Sequence, residues 1–145
     1  MLSNNKIDNK SSAVQVHLNI LQSIIQRMAA NSASCKTWCI TLVSAILVIV
    51  ANQGIARFAL IAFIPTLVLL ILDAYYLSLE RVFRQSYDNF VEKLHKGVIK
   101  ENDIYSISPK GPGMSDIFRS LISFSIWPFY VTLIIMILIA MEFII

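Results

Sequence analysis

The chain has 145 residues, of which 57% are hydrophobic and 14% are charged, and its mean hydropathy is +0.68. These values exclude an ordinary soluble globular domain and indicate an integral membrane protein. The short length also excludes a wide pathway inside one chain, because three packed helices leave no central space. Any transport would therefore require an oligomer.

Residues 1–10 are polar and predicted to be disordered, and residues 11–34 are predicted to form a cytoplasmic amphipathic helix. The apolar positions of this helix recur at intervals of three and four residues: Val14, Leu18, Leu21, Ile25 and Met28. Ser11 or Ser12 would cap it. Such a stripe either packs on neighbouring helices or on the membrane surface, or mediates self-association.

Residues 37–79 contain two long apolar runs separated only by the short segment 52–57, which predicts a transmembrane hairpin. Each run is close to the roughly 20 residues needed to cross a bilayer. Residues 1–34 lack the apolar core and cleavage site of a signal peptide. We therefore expect the membrane helices themselves to direct insertion.

Residues 80–118 are predicted to form a cytoplasmic helical extension followed by a Pro/Gly loop. The helical stripe of the extension comprises Phe83, Tyr87, Phe90 and Leu94. A helix from Arg57 to Lys96 would be about 60 Å long, twice the hydrocarbon thickness, with a kink at Pro65. Gly97 would end it, and the loop at 109–113 would let the chain return to the bilayer.

Residues 119–145 are predicted to form a third transmembrane helix, because the apolar run from 121 to 145 carries Glu142 as its only charge. Pro128 lies within the sequence Trp-Pro-Phe-Tyr at 127–130. This sequence either kinks the span as a hinge or belongs to a packing cluster, since proline is common in membrane helices.

The distribution of basic residues predicts the orientation. Eleven of the twelve lysine and arginine residues precede the first span or lie between the second and third, and only Arg57 lies in the loop of the hairpin. The positive-inside rule then places the N-terminus and the middle segment in the cytoplasm. The predicted fold class is an all-α membrane protein with three transmembrane helices, an N-terminal amphipathic helix and a long second helix that extends into the cytoplasm.

No sequence pattern indicates an enzyme, a metal centre or a cofactor. The chain contains no Gly-rich phosphate loop, no HExxH and no paired CxxC motif. Cys35 and Cys39 would share a helix face, and two thiols without a nearby histidine pair are more typical of packing than of zinc binding. His17 and His95 lie on different amphipathic helices and are predicted to be solvated or interfacial. We predict a protein that is not an enzyme.

Asp73 is the single acid of the hairpin, six residues before the second apolar run ends. An acid at this depth costs about 1–3 kcal/mol unless it is paired or hydrated. Lys36, at the start of the first run, is the predicted partner, and Tyr76 with its neighbour Tyr75 fits an interfacial aromatic belt. Two interpretations follow: a salt bridge that pairs two helices, or a ring of Lys36, Asp73 and Tyr76 at the cytoplasmic mouth of an oligomeric pore.

Two blocks of the chain resemble a group of small bacterial membrane proteins. They read HLxxLQxxIxRMAxNSxxxKxW at 17–38 and LDxYYLxxERxFRxxYD at 72–88. Within that group the chain is most similar to the transmembrane effectors of anti-phage systems of the Hailong type. The resemblance covers about residues 17–88 and leaves the third apolar run unmatched, and neither block is a catalytic signature.

The resemblance implies a homo-oligomeric ion channel of the bacterial inner membrane, tetrameric by analogy, that works with a nucleotidyltransferase. A short single-stranded oligodeoxynucleotide made by that enzyme would hold the channel closed, and its loss during infection would depolarise the host membrane. The implied oligonucleotide-binding residues are Arg81, Arg84, Lys93, Lys96 and Tyr87. Basic side chains attract phosphates, and aromatic rings stack on bases.

Three alternatives accompany this interpretation. Acidic residues alternate with the basic ones on the extension, which also fits a solvated helix face: Glu80, Asp88 and Glu92. The same basic residues also fit a related effector that a nucleotide signal opens. A structural membrane subunit that does not conduct ions would use the cytoplasmic helices to join a larger complex.

Overall fold

The computed structural model describes residues 11–107 and 109–144. Of these residues 86% are helical and none lies in a strand, so the all-α prediction is confirmed. The predicted disorder of residues 1–10 concerns positions outside the described residues. The elements are α1 (Ser12–Gln53), a 3-10 helix (Ala56–Ala62), α2 (Phe63–Lys96), α3 (Glu101–Tyr105), α4 (Met114–Leu121) and α5 (Trp127–Ile144).

Helix α1 joins the predicted amphipathic helix and the first apolar run without a break at 34–37. The Ser11 hydroxyl caps it by accepting the Val14 N–H at 3.4 Å, as predicted. One buried stripe follows the helix at intervals of three, four and seven residues: Val14, His17, Leu21, Ile25, Met28, Ser32, Cys35, Cys39, Val43 and Val50. Leu18 is only partly buried. The predicted seam is otherwise correct, and α2 is its main partner.

The turn of the hairpin depends on Gly54, which has a φ of 65° and donates its N–H to the Val50 carbonyl at 3.0 Å. The predicted continuous α-helix from Arg57 is wrong over 57–62, which form the 3-10 helix. Pro65 gives the physical reason, because it lacks the N–H that an α-helix would direct at the Ile61 carbonyl. Helix α2 begins at Phe63 and is about 51 Å long at 1.5 Å per residue.

Gly97 ends α2 with a φ of 65°, as the sequence predicts. The predicted third helix at 119–145 is interrupted in the structure, because α4 ends at Leu121 and α5 begins at Trp127. Pro128 could not donate to the carbonyl of residue 124 if the helix were continuous. The chain turns instead at 122–126, where Ile126 donates its N–H to the Ser123 carbonyl at 2.9 Å.

The main apolar core lies where α1, the 3-10 helix, α2 and α5 meet. It contains Cys39, Val43, Ala62, Ala74, Leu77, Ile126, Tyr130, Leu133 and Ile137. Two helical segments, 12–53 and 56–96, are long and apolar enough to cross a membrane, and only 22% and 28% of the residues in their most apolar stretches are buried. A core helix of a soluble protein would be mostly buried instead. Helix α5 is a shorter apolar helix of 18 residues.

Candidate functional site

The most unusual group of the fold is a carboxylate with no exposed surface. Asp73 on α2 is 0% exposed, and the Lys36 ammonium of α1 lies 2.6 Å from its Oδ2. The Ser32 hydroxyl donates to Asp73 Oδ1, and Lys36 Nζ donates to Ser32 Oγ at 3.3 Å. The contact with Oδ2 is ionic and lies outside hydrogen-bond geometry. The predicted Lys36–Asp73 ion pair is confirmed.

The helical periodicity of α1 explains how this cluster assembles. Ser32 and Lys36 are one turn apart, so both side chains reach the same level of α2. The Lys36 side chain keeps 22% of its surface exposed, which leaves its ammonium at the edge of the cluster while Asp73 is enclosed. The Asp73 carboxylate is therefore enclosed within the protomer, and only Lys36 reaches its surface.

Helix α5 brings a second hydroxyl to the cluster. Tyr130 is only 2% exposed, and its oxygen makes no hydrogen bond to the described residues. The hydroxyl nevertheless lies within interaction range of the Asp73 carboxylate. The sequence predicted Tyr130 only as part of a kink or packing cluster, and it predicted no role for Ser32 beside Asp73. The position of Ser32 one turn before Lys36 was the available signal for that residue.

Tyr76 does not belong to this cluster. It is partly buried, its ring centroid lies 5.9 Å from that of Tyr75, and its hydroxyl makes no hydrogen bond within the described part of the chain. Two of the three predicted mouth residues, Lys36 and Asp73, therefore form a pair, and Tyr76 lies outside their cluster.

Three of the four basic residues of the predicted oligonucleotide site are paired with carboxylates. Arg84 binds Glu80 at 2.8 Å, Lys93 binds Asp103 at 2.7 Å, and Lys96 binds Glu92. The hydrogen bond from Lys93 lowers the pKa of the Asp103 carboxyl, and the bond from Lys96 lowers the pKa of Glu92. Tyr87 is partly buried. A bound phosphate would have to compete with these acids.

Arg81 differs from the other three basic residues. Its Nη1 donates to Ser120 Oγ at 3.3 Å and its Nη2 to Ser123 Oγ at 2.7 Å. Both hydroxyls are neutral, and no carboxylate of the described residues forms an ion pair with Arg81. Its guanidinium is thus directed at α4 and the turn that follows, and its charge is not compensated there.

The prediction that His17 is solvated or interfacial is wrong. His17 is 4% exposed, its ring centroid lies 4.2 Å from that of Phe90, and its Nδ1 lies 2.7 Å from the Ile104 carbonyl oxygen. The carbonyl can only accept, so Nδ1 carries the proton. The reason for the burial is tertiary: α3 folds back over α1 and α2 and covers the ring. His95 is exposed.

A cavity of about 210 Å³ lies next to His17 and Phe90, and Lys93 and Asp103 also contact it. The two cysteines are buried free thiols, and Cys39 packs in the main core. Neither feature adds a charged group to the Lys36–Asp73 cluster.

No protein-family model, no curated protein and no solved structure matches the chain. Membership of an anti-phage effector family therefore stays a prediction.

Proposed function

We propose that this protein is a three-span membrane protein that assembles into a homo-oligomeric ion channel and acts as an anti-phage effector in the bacterial inner membrane. The observation that carries the channel proposal is the enclosed Asp73 carboxylate with Lys36 at its side, near one end of the two apolar runs of the hairpin. Charged groups at membrane depth are energetically costly and therefore rare, and those that occur often mark ion pathways.

The surface of the fold supports insertion in a bilayer. Large apolar side chains are exposed on both long helices, for example Val48, Ile49, Ile64 and Ile71. Helix α5 would be the third span, since 18 residues extend about 27 Å, close to the hydrocarbon thickness. The bias of basic residues toward one side of the hairpin supports a cytoplasmic N-terminus.

The conformation with the Lys36–Asp73 ion pair intact is proposed to be the closed state of the channel. Lys36 and Asp73 lie on different helices, so a shift of α1 against α2 would separate and hydrate them. Because three packed helices leave no central space within one protomer, conduction requires several protomers around a common axis. A ligand that prefers the closed arrangement by a few kcal/mol would control opening.

The proposed ligand is a short single-stranded oligodeoxynucleotide supplied by a nucleotidyltransferase. Support for it comes from the sequence resemblance and from the basic residues Arg84, Lys93 and Lys96 near the partly buried Tyr87. Contacts between these cations and phosphates predict a salt-dependent affinity, because binding releases the counterions of the phosphates. The acidic partners would weaken each contact, because they compete with the phosphates for the same cations.

Ion flux through proteoliposomes tests the channel proposal. We expect flux that short oligodeoxyadenylates suppress, and we expect Lys36→Met and Asp73→Asn to change that flux. Lys100→Met serves as the control, because Lys100 lies outside the long helices. Flux that oligonucleotides increase would instead indicate a channel opened by a nucleotide signal.

Oligonucleotide binding needs its own test. Charge reversal in the double variant Arg84→Glu/Lys96→Glu should abolish salt-sensitive binding of a fluorescent oligodeoxyadenylate. Arg57→Glu is a control for charge reversal because Arg57 lies in the 3-10 helix that precedes α2, at the end of α2 opposite to Lys96. Unchanged affinity of the double variant would refute the nucleic-acid site.

Two observations favour a second function. The sealed ion pair and the neutralised basic residues also suit a structural membrane subunit that conducts no ions and binds a larger complex through its helices. Absence of flux from a folded, reconstituted protein under all ligand conditions would favour this function over the channel.

A further inference from the structure

A cleft of about 420 Å³ lies between α2 and α4. Its walls are formed by Ser78, Arg81, Val82, Gln85, Asp116 and Arg119. The cleft lies just beyond residue 79, where the second apolar run ends, and it is separate from the Lys36–Asp73 cluster. The cleft therefore lies at the level of α2 where the apolar run gives way to polar residues.

The cleft carries a net positive charge. Arg81 is held by the neutral hydroxyls of Ser120 and Ser123, and Arg119 makes no ion pair or hydrogen bond within the described residues. Asp116 is the only acid in its wall, and its Oδ2 accepts the Gly113 N–H at 2.9 Å. One cationic charge is left without a counter-ion, in contrast to Arg84, Lys93 and Lys96.

Helix α4, which forms one wall of this cleft, and the turn after it also carry an exposed apolar rim. Met114, Phe118, Ile122 and Phe124 are 85%, 64%, 64% and 82% exposed. Ile117 and Leu121 on the same helix pack against the core, while Asp116 and Arg119 occupy the polar side. A short helix with this division of side chains is typical of one that lies in the membrane interface.

We infer that the cleft binds the phosphate of an anionic phospholipid, with Arg81 and Arg119 as its cationic ligands and the α4 rim against the acyl chains. This inference rests on the proposed membrane insertion. A molecule that joins an anionic phosphate to apolar chains matches both halves of the surface. A nucleic acid would occupy the arginines but leave the four rim side chains in water.

Tryptophan quenching by brominated lipids tests the inference in the full-length protein. The variant Trp38→Phe leaves Trp127 as the only tryptophan, and the Trp127 ring centroid lies 6.4 Å from that of Phe124 on the rim. Two kinds of vesicle contain both phosphatidylglycerol and phosphatidylcholine, and either the first or the second lipid is brominated. The stronger quencher is the lipid that is enriched at this site. We expect enrichment of phosphatidylglycerol.

Substitution of the two arginines identifies the binding residues. Arg81→Gln and Arg119→Gln should each reduce the preference for phosphatidylglycerol by up to about fivefold, the factor expected for one basic residue near an anionic surface. Arg84→Gln is the matched control, because Arg84 is paired with Glu80 outside the cleft, and it should leave the preference unchanged.

Three results would overturn the inference. Equal quenching by the two brominated lipids in the parent would show that the cleft does not select the headgroup. Loss of the lipid preference on addition of oligodeoxyadenylate would assign the arginines to nucleic acid. Absence of quenching by either lipid would place Trp127 outside the bilayer, so that the proposed third span would fail as well.

Discussion

The Asp73 carboxylate has no exposed surface, and the Lys36 ammonium lies 2.6 Å from it on the neighbouring helix. Removal of the lysine would leave an uncompensated buried charge, which is more destabilising than removal of the whole pair. The two residues should therefore be strongly coupled in their effect on stability.

We predict that Lys36→Met lowers the free energy of unfolding by about 3 kcal/mol and that the double variant Lys36→Met/Asp73→Asn regains more than half of this loss. Chemical unfolding in detergent micelles, followed by circular dichroism, measures both values. Additive effects of Lys36→Met and Asp73→Asn would show that the ion pair does not stabilise the fold.

His17 links α3 to the two long helices, because its ring stacks on Phe90 and its Nδ1–H donates a hydrogen bond to the Ile104 carbonyl. Carbonyls in the last turn of a helix lack partners within the helix. The variant His17→Phe should keep the stacking but lose about 1 kcal/mol from the missing hydrogen bond. We expect faster trypsin cleavage after Lys100 and Lys110. The control His95→Phe changes an exposed histidine and should leave the cleavage rate unaltered.

The Asp103 carboxyl accepts hydrogen bonds from the Lys93 ammonium at 2.7 Å and from the Lys100 backbone N–H at 3.0 Å. These bonds lower the pKa of Asp103 below its ordinary value, with Lys93 as the larger cause. Because the pKa is lower in the folded state, the contribution to stability is present above the unfolded pKa and is lost as the pH falls through the folded pKa.

We predict that Lys93→Met raises the pKa of Asp103 toward its ordinary value, as measured by carbon NMR titration of the carboxyl. Lys96→Met is the matched control, since Lys96 pairs with Glu92. An equal rise of the Asp103 pKa in both variants would mean that a general loss of positive charge, and not the specific contact, controls it.

Gly54 ends α1 with a φ of 65°, and no atom lies within 4 Å of the position that an added Cβ would take. The cost of Gly54→Ala is therefore conformational, and we expect a loss of about 1 kcal/mol in unfolding experiments. Gly111→Ala is the control, because Gly111 has no positive φ and also has open space around it. Equal stability of the two variants would contradict the role of the left-handed turn.

Local sequence signals determined much of this fold. The helical periodicity of α1, the serine cap at Ser11 and the termination of α2 at Gly97 each depend on residues within one or two turns, so they could be predicted without tertiary contacts. The Lys36–Asp73 pair could be predicted as well, because an acid in an apolar run requires a cation and few cations were at its depth.

Tertiary structure decided which residues surround these features. His17 is buried because α3 folds over it, Tyr130 approaches Asp73 because α5 packs beside the hairpin, and Arg81 meets two serines from the turn after α4. These contacts join residues far apart in the chain, and periodicity and charge counts carry no information about them. The sequence by itself established the two long helices and the need of Asp73 for a cationic partner, whereas long-range packing determined the composition of each polar cluster.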